Sequence, residues 1–235
     1  PGWKVLIVDE AAMKVISAAV GMYDIMEKRI STVENLDKKR APFPDMGAIY
    51  FLNPSPESVS KLIADWSGGK VLYGTVFLYF LGRLPDNLLS QIKLCRPLLK
   101  RVKGLMEVNV DFLTVEERAF DFDMREAFPA FYLRQGNSPV ELKLAEKLVT
   151  VCATLNEYPH IRYKQSSGIA TSLASVFHLK MDEYVAQNPS WWYHGGPTKS
   201  AAASRERGVL LLLDRSDDCL TPLMHDFNYQ SMVHD

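Results

Sequence analysis

The stretch GVLLLLDRSDDCLTPLMHDFNYQSMVHD, residues 208–235, sets the fold class that this sequence predicts. Its apolar run, residues 209–213, continues without alternation into Asp214, and such a run is typical of a strand in a parallel sheet with helices on both faces. A helix-like segment, residues 225–234, follows, and the sequence stops before a second parallel strand returns. We therefore expect an α/β domain that is incomplete in this sequence, with its strand buried on both faces.

The N-terminal stretch KVLIVDE, residues 4–10, repeats the pattern, because an apolar run again ends in an aspartate, Asp9, before a helix-like segment. An uninterrupted apolar run indicates a strand inside a sheet rather than at its edge. Helix-like segments at residues 11–20, 55–68 and 85–99 alternate with the strand-like runs, and this alternation predicts a parallel sheet. The further strand-like runs are residues 30–36, 48–52, 75–80 and 108–113.

These segments predict an α/β fold in two domains. The first domain, residues 1–134, is expected to contain a five-stranded, mainly parallel, Rossmann-like sheet that is flanked by helices and joined by right-handed crossovers. We place the boundary at residues 134–137, because Ser138 and Glu141 form a capping box that opens a new helix. The second domain, residues 135–235, then contains that helix, another at residues 168–186, an irregular segment at 190–207 and the strand at 209–213.

The bulk composition is that of an ordinary globular protein, with 47% hydrophobic and 23% charged residues in a chain of 235. A net charge of −1 gives no reason to expect nucleic acid or an anionic membrane as the principal partner. Cys95, Cys152 and Cys219 lie far apart without a C-x-x-C pair, which favours neither disulfides nor zinc and suggests a reducing compartment. No apolar run reaches the ~18 residues that span a bilayer, and no signal peptide is recognisable, so we expect no direct membrane insertion.

Few residues of this sequence point to chemistry. No G-x-G-x-x-G occurs, and residues 195–200 lack the preceding strand and the glycine directly before the lysine that a phosphate loop needs. The acidic group near the C-terminus is compatible with a hard cation, but a solvated acidic turn is the favoured interpretation; its members are Asp214, Asp217, Asp218 and Asp226. We therefore predict no catalytic residue, cofactor or metal site. The aromatic cluster at residues 191–193 is either a binding platform or a cover for the second sheet.

Three stretches carry a resemblance to a known family: residues 208–235, KLVTVCATLNEYPHIRY at 147–163 and WKVLIVDEAAMKVIS at 3–17. Together they resemble the SM (Sec/Munc) family of syntaxin-binding proteins, and most closely its neuronal, Munc-type branch. The resemblance covers nearly the whole chain and implies the N-terminal part of such a protein. It implies a non-catalytic, cytoplasmic protein that clasps syntaxin, regulates SNARE complex assembly in vesicle docking, fusion and exocytosis, and is peripheral at the plasma membrane through syntaxin.

The resemblance also implies two surfaces on the first domain. The first, the syntaxin-binding face, consists of Asp9, Met13, Lys14, Glu34, Lys38 and Lys39. The second is a pocket for the N-terminal peptide of syntaxin, in which an apolar anchor lies beside a glutamate; its residues are Leu84, Leu89, Val102, Leu105 and Glu107.

Several of these residues have ordinary structural alternatives. Asp9 is equally suited to capping a helix, and Met13 to packing in the core. Leu89 and Leu105 are alternatively core residues. Departures from the family pattern include Ala41, where an acidic residue is usual, and Leu89, where phenylalanine is common.

A second hypothesis belongs to a different functional class. Ligands of doubly wound sheets bind beyond the carboxyl ends of the strands, where Asp9 and Asp214 are predicted to lie. The alternative is therefore a nucleotide- or phosphate-handling enzyme on such a sheet. It accounts for the fold, but the sequence supplies no catalytic constellation for it.

Overall fold

The computed structural model describes residues 2–69, 71–133, 139–191, 207–224 and 228–234. The chain divides into two compact units. Unit 1 comprises residues 1–125 and 147–155, and unit 2 comprises residues 126–146 and 156–235. The predicted junction at 134–137 and the predicted cap Ser138 lie outside the described residues, so a domain boundary at residue 134 stays a prediction.

Unit 1 is built on a five-stranded sheet in the order β2-β1-β3-β4-β5, in which every neighbouring pair is parallel. The strands are β1 (Lys4–Val8), β2 (Ile30–Asn35), β3 (Phe43–Leu52), β4 (Tyr73–Phe80) and β5 (Val102–Glu107). The helices are α1 (Glu10–Ala19), α2 (Met22–Glu27), α3 (Pro56–Ser67), α4 (Asp86–Leu94) and α5 (Arg96–Leu99). The predicted α/β class and five-stranded parallel sheet are confirmed, and β1 lies inside the sheet as its apolar run predicts.

Successive residues of β1 pack into two different apolar layers. Val5 and Ile7 belong to the cluster that contains buried residues of α3, α4 and α5. Leu6 and Val8 belong to the opposite cluster, which α1 and α2 cover. All four side chains are at most 6% exposed. Burial of an apolar side chain on either face contributes roughly 1.5 to 3 kcal/mol, and this explains why the strand shows no polar alternation.

The helices that cover the sheet begin at recognisable caps. Asp9 caps α1 by accepting a hydrogen bond from the Ala12 amide at 2.9 Å. Ser55 caps α3 by accepting from the Ser58 amide at 3.1 Å, and Pro56 follows at the first helical position. Each cap satisfies an amide that the helix itself leaves without a partner.

Two predictions for this unit are wrong in detail. The fifth strand is β5, Val102–Glu107, and not residues 108–113. Strand β5 pairs only with β4 among the described residues, and as an edge strand it includes a lysine and a glycine, Lys103 and Gly104, that weaken its apolar pattern. The single helix expected at residues 85–99 is two helices, because the chain leaves helical geometry at Cys95, two residues before Pro97.

The remainder of unit 1 consists of a hairpin and one part of a long helix. The hairpin joins β6 (Leu113–Glu116) to the antiparallel β7 (Ala119–Asp121). The helix, α7 (Pro139–Leu155), contributes its residues 147–155. Lys147 pairs with Asp111 at 2.5 Å, which fixes this end of the helix beside the segment after β5.

Unit 2 contains a two-stranded parallel sheet, β8 (His160–Tyr163) and β9 (Val209–Leu212). Its helices are α6 (Ala127–Tyr132), the first part of α7, α8 (Gly168–Gln187) and α9 (Tyr229–His234). The prediction that β9 is buried on both faces is wrong, because Val209 is 62% and Leu211 is 59% exposed. Val209 and Leu211 alternate with the half-buried Leu210 and Leu212, so one face of β9 is exposed in the part of the chain that is described.

Candidate functional site

The carboxyl ends of β1 and β3 form the point where the strand order of unit 1 reverses. Doubly wound sheets bind ligands in the crevice at such a point. Here the buried Asp9 carboxylate lies at the end of β1, where it accepts from the Asn53 amide and from the Ser58 hydroxyl, both at 2.7 Å. With the cap to Ala12, this carboxylate binds three groups of the chain itself. The three donors in this crevice therefore bind Asp9, and their hydrogen bonds join β1 to α1 and α3.

Met13 and Lys14, the next predicted residues of the syntaxin-binding face, follow on α1. Met13 is half-buried and packs against the apolar cluster on the α1 side of the sheet. Lys14 is exposed and pairs with Asp123 at 2.7 Å and with Glu10 at 3.5 Å. Its hydrogen bond to Asp123 raises the pKa of Lys14, so the side chain is cationic and held in place.

One residue of the predicted face, Glu34, lies in β2, which is an edge strand of the sheet. Glu34 pairs with Ile7 in the register of β1 and β2 and so lies on the α3 side of the sheet, opposite Met13. Its Oε2 atom is buried and has no hydrogen-bond partner among the described residues. The structure therefore does not place all six predicted residues on one side. Asp9 lies at the end of the interior strand β1, Met13 and Lys14 lie on α1, and Glu34, Lys38 and Lys39 lie on or directly after the edge strand β2.

The basic segment after β2 contains two kinds of cation. Lys38 and Lys39 are exposed, whereas Arg40 has a side chain only 3% exposed and pairs with Asp65 of α3. The predicted site included Lys38 and Lys39 but not Arg40, and the sequence analysis did not anticipate the burial of Arg40. Nothing in the local sequence distinguishes Arg40 from the two lysines before it, because its burial depends on Asp65.

The predicted peptide pocket lies at the β5 edge of unit 1. Glu107 accepts a hydrogen bond from the Leu84 amide at 2.8 Å, which joins the end of β5 to the segment before α4. An irregularity between Val102 and Gly104 shifts the register of β5 against β4. Because of this shift, Val102, Leu105 and Glu107 align with Val76, Leu78 and Phe80 and share their face of the sheet.

The apolar members of this pocket differ in burial. Leu84 is 3% exposed and belongs to the α3–α5 cluster, while Leu89 and Val102 are half-buried and pack against that cluster. Leu105, in the edge strand β5, is 39% exposed. The structure thus places all five predicted residues at one edge and on one face, and they form a partly exposed apolar surface with a carboxylate at its end.

Two acidic residues of unit 2, Asp214 and Asp218, accept hydrogen bonds that stabilise turns of the chain. Asp214 accepts from the hydroxyls of Ser167 at 2.5 Å and Tyr132 at 2.7 Å, and from the Ser216 amide at 2.9 Å. These hydrogen bonds, led by the one from Ser167, hold the pKa of Asp214 well below its usual range. Asp218 likewise accepts from the Thr221 amide and hydroxyl. Asp226 lies outside the described residues.

Other candidate features give no ligand site. In the described ranges, no group of three or more His, Cys, Asp or Glu side chains is placed to hold a metal ion. None of the helices described is long and apolar enough to cross a membrane. Trp191 packs edge-to-face on Tyr184 of α8, with 5.5 Å between ring centroids, whereas residues 192–193 lie outside the described ranges.

Comparison with known proteins places the chain in a family. Residues 4–235 match the family model of the Sec1 family. Protein transport protein sec1 of Dictyostelium discoideum is 35% identical over 237 residues, a match that covers 100% of this chain and 38% of the relative. The SNARE-interacting protein KEULE of Arabidopsis thaliana is 31% identical, over 99% of this chain and 36% of the relative. The chain thus spans well under half the length of these relatives.

Solved structures give the same result for the fold. Unc18 from Monosiga brevicollis, in its complex with syntaxin 1, superposes with a TM-score of 0.86 at 28% identity, over 100% of this chain and 40% of that one. Sly1p, in complex with an N-terminal peptide of Sed5p, superposes with a TM-score of 0.84 at 26% identity, over 100% of this chain and 38% of that one. The resemblance found in the sequence is confirmed: this chain belongs to the Sec1 family.

Proposed function

We propose that this chain is the N-terminal part of a non-catalytic binding protein that clasps a syntaxin and regulates SNARE complex assembly in vesicle docking, fusion and exocytosis. One observation carries the proposal. The whole chain superposes on Unc18, which was solved in complex with syntaxin 1. The SNARE-interacting relative KEULE supports the same partner class. Through syntaxin, the protein would be peripheral at the plasma membrane from the cytoplasmic side.

The first proposed contact surface is the syntaxin-binding face, which extends from the end of β1 and α1 to β2 and the segment after it. Its exposed lysines Lys38 and Lys39 are suited to steering an acidic partner and setting its orientation, while Lys14 is already paired with Asp123 and Glu10. Asp9 is buried behind them, and its proposed contribution is to position α1 rather than to touch the partner. Met13 and Glu34 are partly buried and lie on opposite faces of the sheet.

The second proposed contact surface is the peptide pocket at the β5 edge. The Sly1p complex with an N-terminal peptide of Sed5p supports a pocket for such a peptide in a relative of the same fold. An apolar anchor that becomes buried against Leu89, Val102 and Leu105 would contribute roughly 1.5 to 3 kcal/mol. Glu107, at the end of the pocket, has a second carboxylate oxygen besides the one that binds Leu84, and this oxygen is suited to accept from the peptide.

The enzyme hypothesis gains no specific support. The strand-order reversal, where a doubly wound enzyme would bind its ligand, is bridged by the Asp9 carboxylate and its three donors. We therefore propose that the chain works by binding alone. Thermal melting with and without ATP, GTP and magnesium tests this, because a ligand that prefers the native state raises stability. We expect no change, and a shift of several degrees would favour the enzyme.

The direct test of the proposed function uses the purified chain and the purified cytoplasmic region of a syntaxin. We expect a saturable complex in surface binding, and recovery of syntaxin when the chain is used to pull down cytosolic and detergent-extracted fusion proteins. Absence of binding to every syntaxin offered, by a chain shown to be folded, would reject the proposal.

A further inference from the structure

Arg40 is a buried cation inside a loop that otherwise exposes its charges. Its guanidinium pairs with the Asp65 carboxylate on α3. It also donates to the backbone carbonyls of Asn35 at 2.8 Å, Leu36 at 2.9 Å and Lys38 at 3.1 Å. One guanidinium therefore contacts three backbone carbonyls within residues 35–38 and joins this segment to α3.

The surroundings of Arg40 make this tie costly to build. Asp65 also accepts from the hydroxyl of Tyr50 at 3.0 Å, in a cluster with Tyr73. Burial raises the pKa of Asp65, and burial together with the nearby carboxylates raises the pKa of Tyr73 to about 12. A pair in such a place stabilises little beyond a hydrophobic equivalent, although removal of one partner is strongly destabilising. A contribution to stability therefore does not by itself explain why a charged pair occupies this buried position.

A second tie between the same loop and α3 lies in solvent. Lys61 pairs with Asp37 at 2.6 Å and with Glu57 at 2.5 Å, and all three side chains are more than a third exposed. Exposed pairs of this kind contribute little to stability and are screened by salt. The loop thus has one buried anchor and one surface tie, and only the buried one binds backbone carbonyls.

We propose that Arg40 is a positioning residue for the basic loop, residues 36–41: its buried guanidinium fixes the loop backbone and thereby the direction of Lys38 and Lys39. This inference rests on the proposed function, in which those two lysines steer an acidic partner. Arg40 itself is too buried to touch that partner. The loop is then a preformed surface, and its two lysines meet the partner without first having to be ordered.

The first test needs no partner. Hydrogen exchange is measured at the amides of Asp37 and Lys38, which bind Asn35 in the parent chain. We expect exchange about tenfold or more faster in Arg40→Met, and little change in the matched control Lys61→Met, because the surface tie holds no carbonyl. Unchanged exchange in Arg40→Met would overturn the proposal.

A double variant separates loop position from stability. Arg40→Met leaves Asp65 buried without its cation, so Arg40→Met with Asp65→Asn should recover much of the melting temperature. We expect exchange in the loop to stay fast in the double variant, because the three carbonyls still lack their donor. Slow exchange in the double variant would mean that the charge balance, and not the carbonyl clamp, orders the loop, and would reject the positioning role.

The second test adds the cytoplasmic region of a syntaxin and compares association rates across salt concentrations. The double variant should associate more slowly than the parent, with a weaker salt dependence, although Lys38 and Lys39 are intact. If the double variant associates with syntaxin at the parent rate although its loop amides exchange fast, loop order does not control steering and this part of the proposal is overturned. If Lys38→Glu with Lys39→Glu has no effect in the parent chain while Arg40→Met still frees the loop, Arg40 is an anchor and the function proposed for the loop is wrong.

Discussion

Strands β1 and β9 have nearly the same sequence pattern and opposite surroundings. Each is an apolar run that ends in an aspartate, Asp9 or Asp214. In β1, which lies between β2 and β3, Ile7 is fully buried. In β9, which pairs with β8 alone in the described part of unit 2, Leu211 is 59% exposed. The pattern identifies a strand, but its neighbours decide whether the strand is buried.

The aspartates that end these strands nevertheless accept the same kinds of hydrogen bond. Asp9 accepts from the Ser58 hydroxyl, and Asp214 accepts from the Ser167 hydroxyl. Both serines lie at the start of the helix that follows the neighbouring strand, α3 after β3 and α8 after β8. Each aspartate also caps the turn that follows its own strand. The two units therefore share a way of joining a strand end to two helical segments.

The largest expected difference between the two strands is in stability. Ile7→Ala removes a fully buried side chain and should cost about 2 to 5 kcal/mol of unfolding free energy, whereas Leu211→Ala should change it by about 0.5 kcal/mol or less. Urea denaturation of this 235-residue chain, followed by circular dichroism, measures both. Similar costs for the two substitutions would mean that β9 is buried in solution.

An intermediate effect is expected at the end of β9 and depends on pH. Asp214→Ala removes a cap and should cost about 0.5 to 2 kcal/mol at pH 7. Because the hydrogen bonds depress the pKa of Asp214 in the folded state, its contribution is present above the unfolded value of ~3.9 and is lost as pH falls through the folded pKa. Melting of parent and variant should therefore converge in strong acid. A difference that grows below pH 4 would contradict this assignment.

The smallest free-energy effect is expected at the surface lysines. Lys38→Glu with Lys39→Glu should leave the melting temperature unchanged, slow association with a syntaxin cytoplasmic region several-fold and reduce its salt dependence. The matched control reverses two exposed cations of unit 2, Arg162→Glu with Lys164→Glu. Stopped-flow association at several salt concentrations compares them. Equal slowing by both pairs would indicate a nonspecific charge effect and remove the loop from the interface.

Much of unit 1 followed from sequence because its signals are local. The apolar run of β1 and the cap at Ser55 each specify an element without reference to the rest of the chain. The edge strand β5 was placed wrongly because residues 108–111 alternate apolar and polar side chains as a strand does, whereas β5 itself includes a glycine, Gly104. The exposure of β9 depends on how many strands pair with it, and no pattern within residues 209–213 records that number.

The candidate surfaces show the same limit. The grouping of Leu89 with Glu107 came from the resemblance, whereas the register shift that puts Val102 and Leu105 on one face is visible only in the strand pairing. Burial of Arg40 depends on Asp65, which lies 25 residues away in the sequence. Long-range pairing of this kind leaves no periodic signal in either segment.

The central claim, that unit 1 binds syntaxin, is tested most directly at the β5 edge. Calorimetry with a syntaxin N-terminal peptide should detect binding to the parent chain, weaker binding to Glu107→Ala and none to Leu89→Lys. The matched control is Leu94→Lys on the same helix, where the parent leucine is 80% exposed and binding should be retained. Circular dichroism verifies that each variant is folded. A folded Leu89→Lys chain that binds the peptide as tightly as the parent would contradict the account.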